Sequence, residues 1–195
     1  MPILLLLLGL LQQKPAAPAP LQPAPGNPVV VIDTSAGPIT IELFKDHAPV
    51  SVENFLQYVR DDFYNGTIWH RVVHGYVIQA GGFTAQLQEK ATRPPIQNEA
   101  TNGLSNRKGT VAMARLRAAR SATSQFFINL ADNPGLDHQG LSPDDYGYAV
   151  FGRVLDGWDT VDKIASVKTM TTRDGMENVP ETPVAIKSVV IRGRE

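Results

Sequence analysis

The chain has 195 residues, 43% of them hydrophobic, with 18 Lys and Arg against 19 Asp and Glu and no cysteine. That is enough apolar material for one ordinary soluble core, and it lacks the basic excess that steers a protein onto nucleic acid. Without thiols there can be no disulfide framework, thiolate metal site or cysteine nucleophile.

Ile3 to Leu11 reads ILLLLLGLL, nine residues, well short of the roughly 20 that a membrane-spanning helix needs. Residues 1–14 therefore read as a signal-like apolar segment, although no Lys or Arg precedes the apolar tract and the small residues from Ala16 to Ala19 are interrupted by Pro18. The expectation is export to a bacterial periplasm, with no stable membrane span. An uncleaved segment would leave an apolar tail able to tether the chain to a membrane. Residues 15–28 carry prolines at 15, 18, 20, 23, 25 and 28 and read as an extended polyproline II linker. Residues 29–195 remain as the folded unit.

Val29–Thr34 and Ile39–Phe44 are short β-branched runs separated by Ser35, Ala36, Gly37 and Pro38, the pattern of a hairpin. From Pro49 to Arg60 the apolar residues Val52, Phe55, Leu56 and Val59 recur at three and four, which predicts an amphipathic helix with proline in its first turn. Further strands are expected at Thr67–Val73, Tyr76–Gln79, Thr110–Ala114, Phe126–Asn129, Ala149–Leu155 and Val184–Ile191. Trp158, Val161 and Ile164 mark a second, short helix. Eight strand-like runs and two helices that do not alternate with them predict an all-β architecture: an antiparallel sheet closed on itself and capped by helices.

Familiar catalytic constellations fail on these residues. His70 and His74 have the spacing of a helical zinc pair, but in a strand such residues stand about 13 Å apart, and no Glu follows the first. No serine sits in a nucleophile elbow, and the glycines do not form a phosphate-cradling loop. Arg115, Arg117 and Arg120 form a local basic patch that reads as a solvated loop, with an anion or RNA site as the alternative.

Three blocks carry the chemistry: WHRVVHGYVIQAGGFT with Arg71, SQFFINLADN at 124–133, and YAVFGRV at 148–154. Together they resemble the cyclophilin family of peptidyl-prolyl cis-trans isomerases, especially its bacterial periplasmic branch, from about Val29 to the C-terminus. The resemblance implies a closed eight-stranded antiparallel barrel capped by two α-helices, and isomerase activity on proline-containing polypeptides without a cofactor or metal. It implies that Arg71 and Gln79 are catalytic. Tyr76, Val77, Phe127 and Leu136 would form the proline pocket. Met113, Ala114 and Gln125 would form the rim for the substrate backbone, with Tyr148 where eukaryotic members carry histidine. Phe126, alternating with Phe127 along a strand, would belong to the core.

These residue types suit the reaction. Twisting an X-Pro bond costs about 18–20 kcal/mol because amide resonance is lost, no bond breaks, and the prolyl nitrogen gains a lone pair that a permanently charged guanidinium can bind. The chain departs from the family at Gly135, where relatives often place an aromatic and eukaryotic ones a tryptophan that helps bind cyclosporin; weak cyclosporin binding follows. Ala80 replaces a glycine. The competing reading is a binding module or chaperone on the same fold that holds proline segments without turnover. A monomer is expected.

Overall fold

A computed structural model describes residues 21–193; the signal-like segment and the first part of the linker lie outside them. β1 (Val29–Thr34) and β2 (Gly37–Leu43) form the expected hairpin with a tighter turn than the sequence suggested, since Gly37 and Pro38 already pair with Thr34 and Asp33. α1 (Pro49–Arg60) follows, with Val52, Phe55, Leu56 and Val59 all buried on one face. β3 (Thr67–Val73), β4 (Val77–Thr84), β5 (Thr110–Met113), β6 (Phe126–Asn129) and β7 (Val150–Asp156) come next, then α2 (Trp158–Ala165). A two-stranded ribbon of β8 (Thr169–Met170) and β9 (Val179–Pro180), which the sequence did not signal, precedes β10 (Ile186–Ile191).

The eight longer strands make one antiparallel sheet in the order β10-β1-β2-β7-β5-β6-β4-β3. Its two outer strands approach each other: Ile68 bridges Ala185, and the Trp69 and Gly66 amides donate to the carbonyls of Val184 and Ile186 at 3.0 and 2.9 Å. This nearly closes the barrel and leaves little free edge. The interior is filled by alternate strand residues, among them Ile32, Ile39, Ile41, Trp69, Ile78, Val111, Phe126 and Phe151, with Phe55 of α1 and Ile164 of α2 sealing it. Phe55 packs edge-on against Phe126 at 5.4 Å between ring centroids. A smaller apolar cluster, Val77, Ala112, Ala114, Phe127 and Val150, lies apart from this core.

Two carboxylates organise the periphery. Glu99 accepts hydrogen bonds from the amides of Val50 and Ser51 at 3.0 and 2.8 Å and from Ser51 Oγ at 2.7 Å. It thereby caps the free N–H groups of α1, a task no residue beside the helix performs. Glu42, buried on β2, accepts from the Ala24 amide and Asn27 Nδ2, both at 2.7 Å, and from Arg153 Nε at 2.8 Å. The linker residues from Leu21 to Pro28 thus lie along the barrel wall, where Leu21 N also reaches the Leu155 carbonyl and the Pro28 carbonyl accepts from Leu43.

Candidate active site

Register across four strands builds the site. Arg71 on β3 pairs with Gln79 on β4, Gln79 with Phe127 on β6, and Phe127 with Ala112 on β5. Cross-strand partners share a face, so the guanidinium, the amide and the ring form one row on the outer side of the barrel. The next row belongs to the other face: Phe126 and its partner Met113 are buried in the main core. Strand alternation therefore removes Met113 from the rim expected for it, because its side chain points inward and its amide donates to the Ala149 carbonyl at 3.0 Å.

Above this row sits a pocket of about 130 Å³ lined by Arg71, Tyr76, Val77, Gln79, Ala114, Arg115, Phe127, Leu136 and Tyr148. The volume suits one small side chain and is below the usual range for drug-sized ligands. The Phe127 ring meets Tyr148 edge-on at 5.6 Å. Burial pushes the Tyr76 phenol above its ordinary pKa of 10.0, so it stays protonated at neutral pH. Gln125 lies just outside this pocket, in an adjoining groove of about 290 Å³ that shares Gln79, Ala114 and Arg115 with it.

Polar contacts set the Arg71 and Gln79 side chains. Gln79 Nε2 donates to Gln125 Oε1 at 2.9 Å, which turns Gln79 Oε1 toward Arg71 Nη1 at 3.5 Å. Gly82 makes room for this arrangement, since a Cβ there would come within 2.6 Å of Gln125 Nε2. His70, beside Arg71, is 4% exposed, its ring lies 4.7 Å from that of Phe83, and its Nδ1 has no hydrogen-bond partner. Burial lowers its pKa from 6.5 to about 4, so the imidazole is neutral at pH 7.

Buried asparagines that the sequence reading passed over fix the rim. Asn106 Nδ2 donates to the carbonyls of Leu136 and Tyr148 at 3.1 and 3.2 Å, tying both pocket residues together. Asn133 Nδ2 reaches the Tyr76 carbonyl at 3.1 Å and Asn129 Oδ1 at 2.8 Å. Asparagine in a loop reads as turn chemistry, so nothing in the sequence marked these contacts. Arg115, expected in a solvated basic loop, instead lines the pocket; its place there depends on Gly147, whose carbonyl accepts from Arg115 Nε at 2.9 Å. Gly147 has φ +79°, and a Cβ there would lie 2.6 Å from the Asp137 backbone.

The sequence pattern of the family described as cyclophilin type peptidyl-prolyl cis-trans isomerase/CLD matches residues 29–191. The chain belongs to the cyclophilin family. It is 54% identical to peptidyl-prolyl cis-trans isomerase cyp18 of Streptomyces antibioticus, over 84% of this chain and 98% of that one. It is 51% identical to peptidyl-prolyl cis-trans isomerase B of Escherichia coli, over 84% and 99%. Among solved structures, a cyclophilin type isomerase of Cryptosporidium parvum crystallised in the presence of the dipeptide Ala-Pro is similar, with a TM-score of 0.72 at 26% identity, covering 85% of this chain and 99% of that one. Peptidyl-prolyl cis-trans isomerase activity follows for this cyclophilin from relatives at this level of identity over most of its length. Among the described residues, no helix is long and apolar enough to cross a membrane.

Proposed function

We propose that this cyclophilin isomerises X-Pro bonds in unfolded or newly exported polypeptides, with Arg71 as its catalytic cation. The observation that carries this reading is the row of Arg71, Gln79 and Phe127 facing one small pocket. The prolyl ring rests on Phe127 between Val77, Leu136 and the rings of Tyr76 and Tyr148, while the preceding carbonyl swings through the open side. As the amide twists, its nitrogen becomes pyramidal, and the Arg71 guanidinium donates to the emerging lone pair. That bond exists mainly in the twisted state, so it lowers the barrier rather than merely tightening binding. Gln79 holds the guanidinium in place, and Ala114 and Gln125 border the path of the substrate backbone. No group on the enzyme gains or loses a proton.

The test is NMR exchange or a protease-coupled assay on an Ala-Pro peptide with residues 21–195, which keep the linker contacts. Arg71→Ala should lower kcat/KM about 100-fold or more with unchanged circular dichroism. If the unmutated chain bound the peptide but left its exchange at the uncatalysed rate, it would be a binding module instead.

Export rests on the apolar segment from Ile3 to Leu11 and the proline-rich stretch after it, and N-terminal sequencing of the chain recovered from a periplasmic fraction would test it. Weak cyclosporin binding rests on Gly135, which is exposed on the rim with nothing within 4 Å of where a Cβ would stand. Low-nanomolar inhibition would contradict it. A monomer is the working state, and sedimentation checks it.

A further inference from the structure

The walls of the 130 Å³ pocket hold two guanidinium groups, Arg71 and Arg115, and no carboxylate. Arg115 is half-buried, and its anchoring is unusually complete on one side only. Nε donates to the Gly147 carbonyl at 2.9 Å, and Nη1 donates to the carbonyls of Leu116 and Arg117, both at 3.1 Å. The guanidinium carbon lies 4.6 Å from the centre of the Tyr148 ring. Nη2 has no acceptor among the described residues. All the acceptors it does meet are neutral carbonyls, so its charge is held in place without being neutralised. By contrast, Arg117 is paired with Asp144 at 3.2 Å, both well exposed.

Arg115 also stands where substrate must pass. With Gln79 and Ala114 it is common to the pocket and to the adjoining groove, whereas Glu89, Thr92 and Pro95 line the groove alone. A chain with its proline in the pocket and its next residues in the groove therefore crosses Arg115 first and meets the exposed Glu89 only farther out. Desolvation by the bound peptide would strengthen a charge interaction at Arg115, and a guanidinium fixed by three hydrogen bonds loses little entropy in making a fourth.

We propose that Arg115 is a specificity-determining residue, selecting clients that carry an acidic side chain immediately beside the isomerised proline. This rests on the proline-pocket reading above. The carboxylate meets Nη2, and a lysine at the same place is repelled by Arg115 and Arg71 together.

The test compares kcat/KM for paired Glu and Lys peptides, with the charged residue placed directly before the proline in one pair and directly after it in the other, at pH 7.5 and low salt. An Ala-Pro peptide is the reference. The unmutated chain should favour Glu over Lys at one of these positions by about fivefold. Arg115→Gln should bring that ratio near one, and Arg115→Glu should invert it. Raising the salt to 0.5 M should shrink the ratio in the unmutated chain, a measurement that needs no variant to fold. A merely structural role for Arg115 would lower all peptides alike and leave the ratio intact. Equal Glu and Lys rates at both positions in the unmutated chain, or a ratio unmoved in Arg115→Glu, would overturn the proposal. Failure of the reference peptide to turn over in the unmutated chain would instead overturn the isomerase reading beneath it.

Discussion

Gln79 donates its amide N–H to Gln125 Oε1 at 2.9 Å, and this one bond decides which end of the Gln79 side chain faces Arg71. With the donor end engaged, the carbonyl end accepts from the guanidinium. Gln125→Ala releases this constraint, so kcat should fall about fivefold to tenfold, a loss of the size of one neutral hydrogen bond. The melting temperature should change little, because the residue is only half-buried. Gly82→Ala pushes into the same side chain and should lower kcat in the same direction. Steady-state kinetics with a thermal melt check both, and an unchanged kcat in Gln125→Ala would remove Gln79 orientation from the mechanism.

His70 makes the folded chain acid-sensitive. Its pKa is lowered by burial from 6.5 to about 4, so between those values the unfolded chain holds a proton that the native one does not. Stability from this residue is complete above pH 6.5 and drains away as pH falls toward 4, by on the order of 3 kcal/mol. Chemical denaturation from pH 4 to 7 should show that slope, and His70→Gln should flatten it. An identical slope in the variant would assign the acid sensitivity elsewhere.

The linker contributes to the fold. Burial alone would raise the Glu42 pKa, but hydrogen bonds from Asn27, the Ala24 amide and Arg153, with the charge of Arg153, bring it below the ordinary 4.5. The stability from this carboxylate is present above that value and lost as pH falls through the lower native one. A chain beginning at Val29 should melt a few degrees below one beginning at Leu21, for a loss of about 1–2 kcal/mol. Glu42→Ala should cost more, about 3 kcal/mol, since it leaves Arg153 Nε, the Ala24 amide and Asn27 Nδ2 without their acceptor. Differential scanning calorimetry of the three chains orders the effects.

Glu99 supplies the cap that α1 lacks. Glu99→Ala removes acceptors for two amides and the Ser51 hydroxyl and should cost about 1–2 kcal/mol. Hydrogen exchange should quicken first in residues 50–53, and uniform quickening along the helix would argue for global destabilisation instead.

Much of this protein was legible in one dimension. Strand and helix periods were sufficient for β1, α1, β3 and α2, because burial on a single face imposes a repeat that the residues must obey. Those same periods sorted Phe126 from Phe127. The motif blocks named the family and with it Arg71, Gln79 and the pocket. The ribbon of β8 and β9 left no sign, since two-residue strands are too short to carry a period. Met113 was misplaced because a motif matches positions, whereas the direction of a side chain depends on pairing with a partner strand. Only the folded chain could bring Glu42 to Ala24, Glu99 to Ser51, Asn106 to Tyr148 and Arg115 into the pocket wall. Those contacts join residues 18, 48, 42 and 33 positions apart, and over such separations it is closure of the barrel, not local sequence, that decides which groups meet.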